Sequence, residues 1–137
     1  MNMTKILMTL LLVMLALTGC KDDEDIGGWP PMKWVNVDHL AKDGEVYLLN
    51  ENGGTFSFEC TNYKSFRLSQ TDDDYSLIFD EERKSVKGEW FEIMFQGNKL
   101  IFIAAPLPSS ALPRTVGFWV SAGDTWTHFI FRQQKMS

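Results

Sequence analysis

Two runs of residues decide the fold: Thr115–Val120 reads TVGFWV, and Thr125–Arg132 reads TWTHFIFR. In the first run Val116, Phe118 and Val120 share one face, and in the second run Thr127, Phe129 and Phe131 share one face. This period of two is typical of a β-strand that buries one face. Ala122-Gly123-Asp124 separates the runs and supplies residues that favour a tight turn. The sequence therefore predicts an antiparallel hairpin near the end of the chain.

Shorter segments of the same character precede this hairpin, and turn residues separate them. The clearest is Thr55–Thr61, where polar and apolar residues alternate, and the proline-rich segment Ala105–Pro113 makes a long connection that suits a crossover between two sheets. We therefore predict an all-β chain, an antiparallel β-sandwich of about seven to eight strands. The other strand candidates are Trp34–Val37, Val46–Leu49, Ser65–Ser69, Ser76–Phe79, Trp90–Phe95 and Leu100–Ala104, with a turn at His39–Lys42 and a charged loop at Asp80–Gly88.

The N-terminal residues resemble a lipoprotein signal peptide. Lys5 provides a positive start, and Ile6–Leu17 is an apolar run of the length of a signal-peptide core, shorter than the ~20 residues that span a bilayer. Leu17-Thr18-Gly19-Cys20 then resembles a lipobox, in which a cysteine behind small residues receives a diacylglyceryl group. We predict lipidation at Cys20. The alternatives are an ordinary secreted protein with a chance cysteine at this position and a transmembrane anchor.

An acidic run follows the predicted lipidation site. Lys21-Asp22-Asp23-Glu24-Asp25 is typical of a solvated, disordered tether. A lysine followed by acidic residues behind a lipidated cysteine also resembles the export signal of surface lipoproteins in Bacteroidetes. Because several acyl chains hold a protein stably in a membrane, the expected location is the outer membrane, lipid-anchored through Cys20 and exposed on the cell surface. The periplasmic face of the outer membrane is the alternative.

The sequence predicts three parts: a lipoprotein signal peptide at residues 1–19, an acidic, Gly- and Pro-rich tether at 20–33, and one folded domain at 34–137. The chain has a formal net charge of −5, which disfavours nucleic acid as a partner because phosphates would be repelled. With Cys20 lipidated, Cys60 is left alone and no internal disulfide can form. Cys60 lies in phase with Phe56 and Phe58, which predicts a buried thiol on a strand.

The folded part resembles the BACON domains, immunoglobulin-like modules of Bacteroidetes lipoproteins. The family's last strands typically have an arginine leading one strand, a Gly-Asp turn and a glutamine closing the other, and Arg114, Gly123-Asp124 and Gln133 stand in that order here. Gly53–Phe58 looks like the family's opening strand, and Ile101–Pro106 is similar to the segment before its crossover. The resemblance implies an immunoglobulin-like sandwich in a protein linked to polysaccharide use. It implies either carbohydrate binding or a purely architectural role, and it transfers no catalytic residue.

The strand phases predict an aromatic patch on the outer surface. If Phe118 and Phe129 face the core, then Trp119, Trp126 and His128 lie on the opposite face of the hairpin. Exposed aromatic rings stack on the apolar faces of sugar rings and tolerate water at their edges. We therefore predict Trp119, Trp126 and His128 as candidate ligand-binding residues. A protein partner could use the same patch, and a covering loop or a wrong phase would remove it. Trp34 and Trp90 are predicted to belong to the core.

The sequence contains few residue patterns that indicate catalysis or metal binding. Glycoside hydrolysis needs two carboxylates facing each other across a cleft, whereas Glu59 and Glu92 are isolated on strands. The Gly-x-Ser-x-Gly elbow of serine hydrolases is absent. Two histidines without clustered cysteines give no zinc spacing, and Asp72-Asp73-Asp74 lacks the pattern of a calcium loop, so a solvated turn is preferred there. We predict no catalytic residue, no metal and no cofactor.

The sequence favours a non-catalytic, lipid-anchored binding or presentation module on the outer membrane. Carbohydrate binding within a polysaccharide-uptake system is the leading form of this hypothesis, with a glycan or an outer-membrane protein as partner. The alternative is a purely structural or partner-binding surface lipoprotein with no glycan ligand.

Overall fold

The computed structural model describes residues 28–71 and 78–136. The predicted signal peptide, Cys20 and Asp72-Asp73-Asp74 lie outside the described residues. The described part contains strands, turns and irregular segments, and no helix. The strands, in chain order, are β1 (Trp34–Asn36), β2 (Lys42–Asp43), β3 (Val46–Leu49), β4 (Gly54–Cys60), β5 (Arg67–Thr71), β6 (Ile78–Phe79), β7 (Ser85–Lys87), β8 (Phe91–Gln96), β9 (Lys99–Ala104), β10 (Arg114–Ala122) and β11 (Thr125–Gln133).

The strands form two sheets. One has six strands in the order β1-β4-β9-β8-β7-β6, and the other has five in the order β2-β3-β11-β10-β5. Neighbours are antiparallel except β3 and β11, which run parallel. The prediction of an all-β sandwich is confirmed. The predicted number of seven to eight strands is too low, because the described residues contain eleven, and the β3–β11 pair is parallel where an antiparallel fold was predicted. Pro31–Ser137 forms one compact unit.

Aromatic side chains from both sheets fill the space between them. Phe102 of β9 stacks on Phe131 of β11 with ring centroids 4.1 Å apart, and it also stacks on Phe118 of β10 at 6.4 Å. All three rings are fully buried. Each buried Phe contributes about 1.5–3 kcal/mol relative to an exposed one, so these contacts hold the two sheets together. Cys60 is buried in the same cluster, as its phase predicts, and its thiol donates to Asn62 Oδ1 at 3.3 Å.

The predicted strands agree with the structure except at two charged segments. The loop predicted at Asp80–Gly88 contains β7, because Val86 turns into the core while Lys87 points outward. The turn predicted at His39–Lys42 leads into β2, a two-residue edge strand that pairs with β3. Both strands are too short and too charged to produce a clear period of two, so their pairing with a neighbour decides their conformation.

Gln133, which is fully buried, and Arg114, which is half-buried, form a polar clamp at the end of the hairpin. They are register partners on β10 and β11, and Arg114 Nε donates to Gln133 Oε1 at 2.8 Å. Gln133 Nε2 donates to the backbone oxygens of Asn50 at 3.2 Å and Ala105 at 2.8 Å. The Arg114 guanidinium also lies 4.6 Å from the ring centroid of Trp90. The clamp therefore ties the loop after β3 and the proline-rich connection to the hairpin.

Gly53 allows the loop after β3 to lie directly against the end of β9. Its φ is +70°, and a Cβ built there would come within 2.4 Å of the Ala104 carbonyl oxygen. A side chain at this position would meet rigid backbone as well as an unfavourable φ. The loop that carries Asn50 to the clamp therefore requires glycine here.

Candidate functional site

The three predicted ligand-binding residues lie on the outer face of the β10–β11 hairpin. Phe118 and Phe129 are fully buried between the sheets, so Trp119, Trp126 and His128 point the other way, since neighbouring side chains of a strand alternate. The hairpin turns through Gly123-Asp124, where Gly123 has a φ of 59°.

Trp119 and His128 form a stacked pair. They are direct partners in the β10–β11 register. Their ring centroids are 4.3 Å apart and their planes differ by 6°. Both side chains are half-buried, so each ring covers one face of the other. Stacking therefore removes one face of each ring from contact with a ligand.

Trp126 is the exposed member of the set, with 55 % of its surface accessible. It is the second residue after the Gly123-Asp124 turn, and its register partner is Ser121. Trp119 lies diagonally across the hairpin from Trp126, and diagonal neighbours of this kind are separated by about 7–8 Å. An exposed indole leaves unused much of the stabilisation that its burial could give. Because single exposed apolar residues are common on protein surfaces, exposure alone does not mark Trp126 as a binding residue. The residues around it must be considered as well.

The first surrounding feature is a pocket of about 310 Å³ between Trp126 and the β2–β3 edge. Its lining includes Lys42, Glu45, Tyr47 and His128. Trp34 and Thr127 also line it, and Trp34 Nε1 donates a hydrogen bond to Thr127 Oγ1 at 3.2 Å, which helps to hold the Trp34 ring against the core. The pocket thus combines an aromatic wall with one cation and one carboxylate.

The second feature is a pocket of about 250 Å³ on the other side of Trp126. Arg67, Ser69, Arg83 and Ser121 line it together with the indole. Arg67 and Trp126 are both register partners of Ser121, on β5 and β11 respectively. The three residues therefore form one row across the outer face of the five-stranded sheet. Trp126 stands as a wall shared by the two pockets.

A third pocket, of about 220 Å³, lies at the end of the six-stranded sheet beside Trp90 and the Glu89 and Glu92 side chains. Trp90 and Trp34 are both half-buried and pack against the core, as predicted. Because Trp90 is held between Phe91 and Arg114, its ring is used in packing. This third pocket therefore lacks an open aromatic face.

Residues 28–71 and 78–136 contain no group of three His, Cys, Asp or Glu side chains placed to hold a metal ion. The described residues also include no helix long and apolar enough to cross a membrane.

Sequence reasoning missed Lys42, Arg67 and Arg83 as neighbours of Trp126. The alternation of Phe66 and Leu68 against Arg67 indicated that Arg67 points outward. Its distance from Trp126 depends on the pairing of β5 with β10, which includes a shift in register between Trp119 and Val120. No local pattern reveals such a shift. Arg83 belongs to the segment that was predicted to be a loop, so nothing placed it on this face.

Comparison with known proteins supports the fold. No protein-family model matches the chain, and no curated protein matches it. Among solved structures, the chain is similar to one described as the NMR structure of the protein from Bacteroides thetaiotaomicron. The TM-score is 0.63 and the identity is 25 %, over 80 % of this chain and 91 % of the other. The likeness agrees with the sandwich described above and is consistent with a protein from Bacteroidetes.

Proposed function

We propose that this protein is a non-catalytic, lipid-anchored binding module of the outer membrane, and that it holds a glycan against the outer face of the β10–β11 hairpin. The observation that carries the proposal is Trp126, an exposed indole that forms a wall of two adjoining pockets. An indole face stacks on the C–H face of a sugar ring, while polar groups on either side bind its hydroxyls. Lys42, Glu45, Ser69 and Ser121 supply such groups here.

The strand order supports an immunoglobulin-like assignment for the sandwich. In immunoglobulin constant-type domains one sheet has the order A-B-E-D and the other contains C, F and G. The series β1-β4-β9-β8 and β5-β10-β11 correspond to these in both order and chain sequence. A BACON-like identity is further supported by the Arg114–Gln133 pair, since the arginine and glutamine of that resemblance contact each other here.

Cell-surface presentation is the second part of the proposal. The lipobox at Cys20 and the acidic run Lys21–Asp25 support a lipid-anchored protein that is exported to the cell exterior. A binding domain on such a tether would capture a polymer outside the cell and keep it near the membrane. This role requires no catalytic residue, and the alternative is a surface lipoprotein that binds a protein partner or serves only as a spacer.

Cys20→Ala is expected to release the protein from the membrane fraction and to abolish labelling with radioactive palmitate. The reason is that the acyl chains would have no thiol for attachment, and the protein would lose its main anchor. Cys60→Ala is the matched control, because Cys60 is buried inside the sandwich, and it should leave labelling unchanged. Full palmitate labelling of the Cys20→Ala variant would contradict the assignment.

Glycan binding is tested by adding a panel of polysaccharides to the purified protein while recording tryptophan fluorescence. A ligand stacked on Trp126 is expected to change the intensity and wavelength of emission, because more than half of that side chain is exposed to water before binding. A parallel glycan array identifies binding without relying on fluorescence. The absence of binding in both measurements, across neutral and charged polymers, would contradict the proposal and favour the spacer or partner role.

A further inference from the structure

Two guanidinium groups line the pocket between Trp126 and the loop after β6. Arg67 comes from β5 and Arg83 from the turn between β6 and β7. Among the described residues, the lining of this pocket includes no carboxylate. The pocket on the opposite side of Trp126 has Lys42 and Glu45, so its formal charges balance. The positive charge is therefore concentrated on one side of the indole.

Arg83 is held in place at its backbone and at its guanidinium group. Its N–H donates to the Asp80 carbonyl oxygen at 3.1 Å, and its own carbonyl oxygen accepts from Leu68 N–H at 2.8 Å. Its guanidinium lies 4.7 Å from the ring centroid of Phe79, and Nη1 donates to the Ser69 carbonyl oxygen at 3.4 Å. Its backbone adopts a φ of 56°, which is uncommon for a residue other than glycine. A planar guanidinium that is fixed by stacking loses less freedom when it binds an anion.

Asp80 stabilises the turn that presents Arg83. Its Oδ1 accepts backbone N–H groups from Lys84 and Ser85, each at 2.7 Å. These bonds hold the pKa of Asp80 below its ordinary value, and the bond from Ser85 has the larger effect. Since the folded pKa is the lower one, the stabilisation is present above the unfolded pKa and is lost as the pH falls through the folded pKa. The turn is therefore intact at neutral pH, where carboxylated and sulfated sugars are charged.

We infer that the Trp126 site selects glycans that carry negative charge, with the sugar ring on the indole and its carboxylate or sulfate between Arg67 and Arg83. The inference rests on the proposed glycan-binding function and names its ligand class. Guanidinium groups bind carboxylates and sulfates through paired N–H donors, and such charge-assisted bonds are about twice as strong as neutral ones. The whole chain carries a net charge of −5, so general attraction of an anionic polymer to the protein is not expected, and the preference would be local.

The experiment compares polymers that share a sugar backbone and differ in charge, using the purified full chain and titration calorimetry. One pair is oligogalacturonate and its methyl ester, and the other is dextran sulfate and dextran. Binding of a charged member at least about tenfold tighter than its neutral counterpart supports the inference, since that ratio corresponds to one good charged hydrogen bond. The first pair reports a carboxylate and the second a sulfate. Equal affinity for charged and neutral members overturns the inference and leaves the proposed function standing, whereas no binding to any glycan overturns both.

Single substitutions test whether the arginine pair, and not surface charge in general, accounts for binding of the anionic polymer. Arg67→Gln is expected to weaken binding of the charged polymer by about tenfold and to leave the neutral one unchanged. Arg67→Lys should recover only part of the loss, because an ammonium lacks the paired donors. Lys87→Gln, an exposed charge on the other sheet, is the matched control and should have little effect. Equal losses for Arg67→Gln and Lys87→Gln would overturn the inference, as would full affinity in Arg67→Gln.

Discussion

Replacing Gln133 with alanine is expected to lower the free energy of unfolding by about 4 kcal/mol, measured by chemical denaturation. Gln133 is fully buried and bonds to Arg114 and to the backbone oxygens of Asn50 and Ala105. The substitution would remove one hydrogen bond each from the Asn50 oxygen, the Ala105 oxygen and Arg114 Nε, while the Ala105 oxygen keeps its bond from Arg114 Nη2 at 3.1 Å, and it would also leave a cavity. Each such loss costs about 1–3 kcal/mol when water cannot replace the partner.

Gln134→Ala is the matched control for this prediction. Gln134 is adjacent in sequence and half-buried, and within residues 28–71 and 78–136 its side chain makes only one long hydrogen bond, of 3.8 Å to the sulfur of Met136. Its backbone N–H bond to Leu49 is retained in the variant. We expect a change within about 0.5 kcal/mol. Equal stability of the two variants would mean that the clamp contributes nothing specific to the fold.

Replacing Trp126 with alanine is expected to weaken glycan binding by at least about tenfold, or ~1.4 kcal/mol, in titration calorimetry. The substitution removes the shared wall of both pockets and the only face in the predicted set with more than half of its surface exposed. Because the indole is largely outside the core, the free energy of unfolding should change by less than about 0.5 kcal/mol. A large loss of affinity together with a small change in the free energy of unfolding would identify Trp126 as a binding residue and not as a structural one.

Leu112→Ala is the control for the removal of exposed apolar surface. Leu112 is 83 % exposed and lies in the proline-rich connection, away from the two pockets beside Trp126. It should bind glycan with unchanged affinity. Trp126→Phe, which keeps a smaller aromatic face, should retain part of the affinity. Unchanged binding in Trp126→Ala would exclude the indole from the site.

Local pattern was sufficient for the parts of this account that depend on one strand. The alternation around Phe129 predicted both the buried face of β11 and the outward direction of Trp126, because side chains of a strand alternate whatever its neighbours are. The pairing of Trp119 with His128 also follows from local geometry. Once Gly123-Asp124 is taken as a two-residue turn, the hairpin register is determined.

The other half of the site depends on contacts that are distant in sequence. Arg67 reaches Trp126 only through the pairing of β5 with β10, and that pairing contains an irregularity at Ser69. The hydroxyl of Ser69 bonds to the Trp119 carbonyl oxygen at 3.1 Å, which stabilises the irregularity. Such shifts are set by tertiary packing and leave no period in the sequence. Trp119 is also less exposed than the predicted aromatic patch requires, because it stacks on His128 and is half-buried.

The most direct test of the central claim is to map a bound glycan by NMR, recording backbone and indole N–H signals of the protein during titration. We predict that the largest chemical-shift changes occur at the Trp126 indole, at Ser121 and at Arg67, with smaller changes at His128. The Trp34 and Trp90 indoles, which pack against the core, should shift less than that of Trp126. Changes centred on Trp90 and the six-stranded sheet, with Trp126 unaffected, would contradict the account.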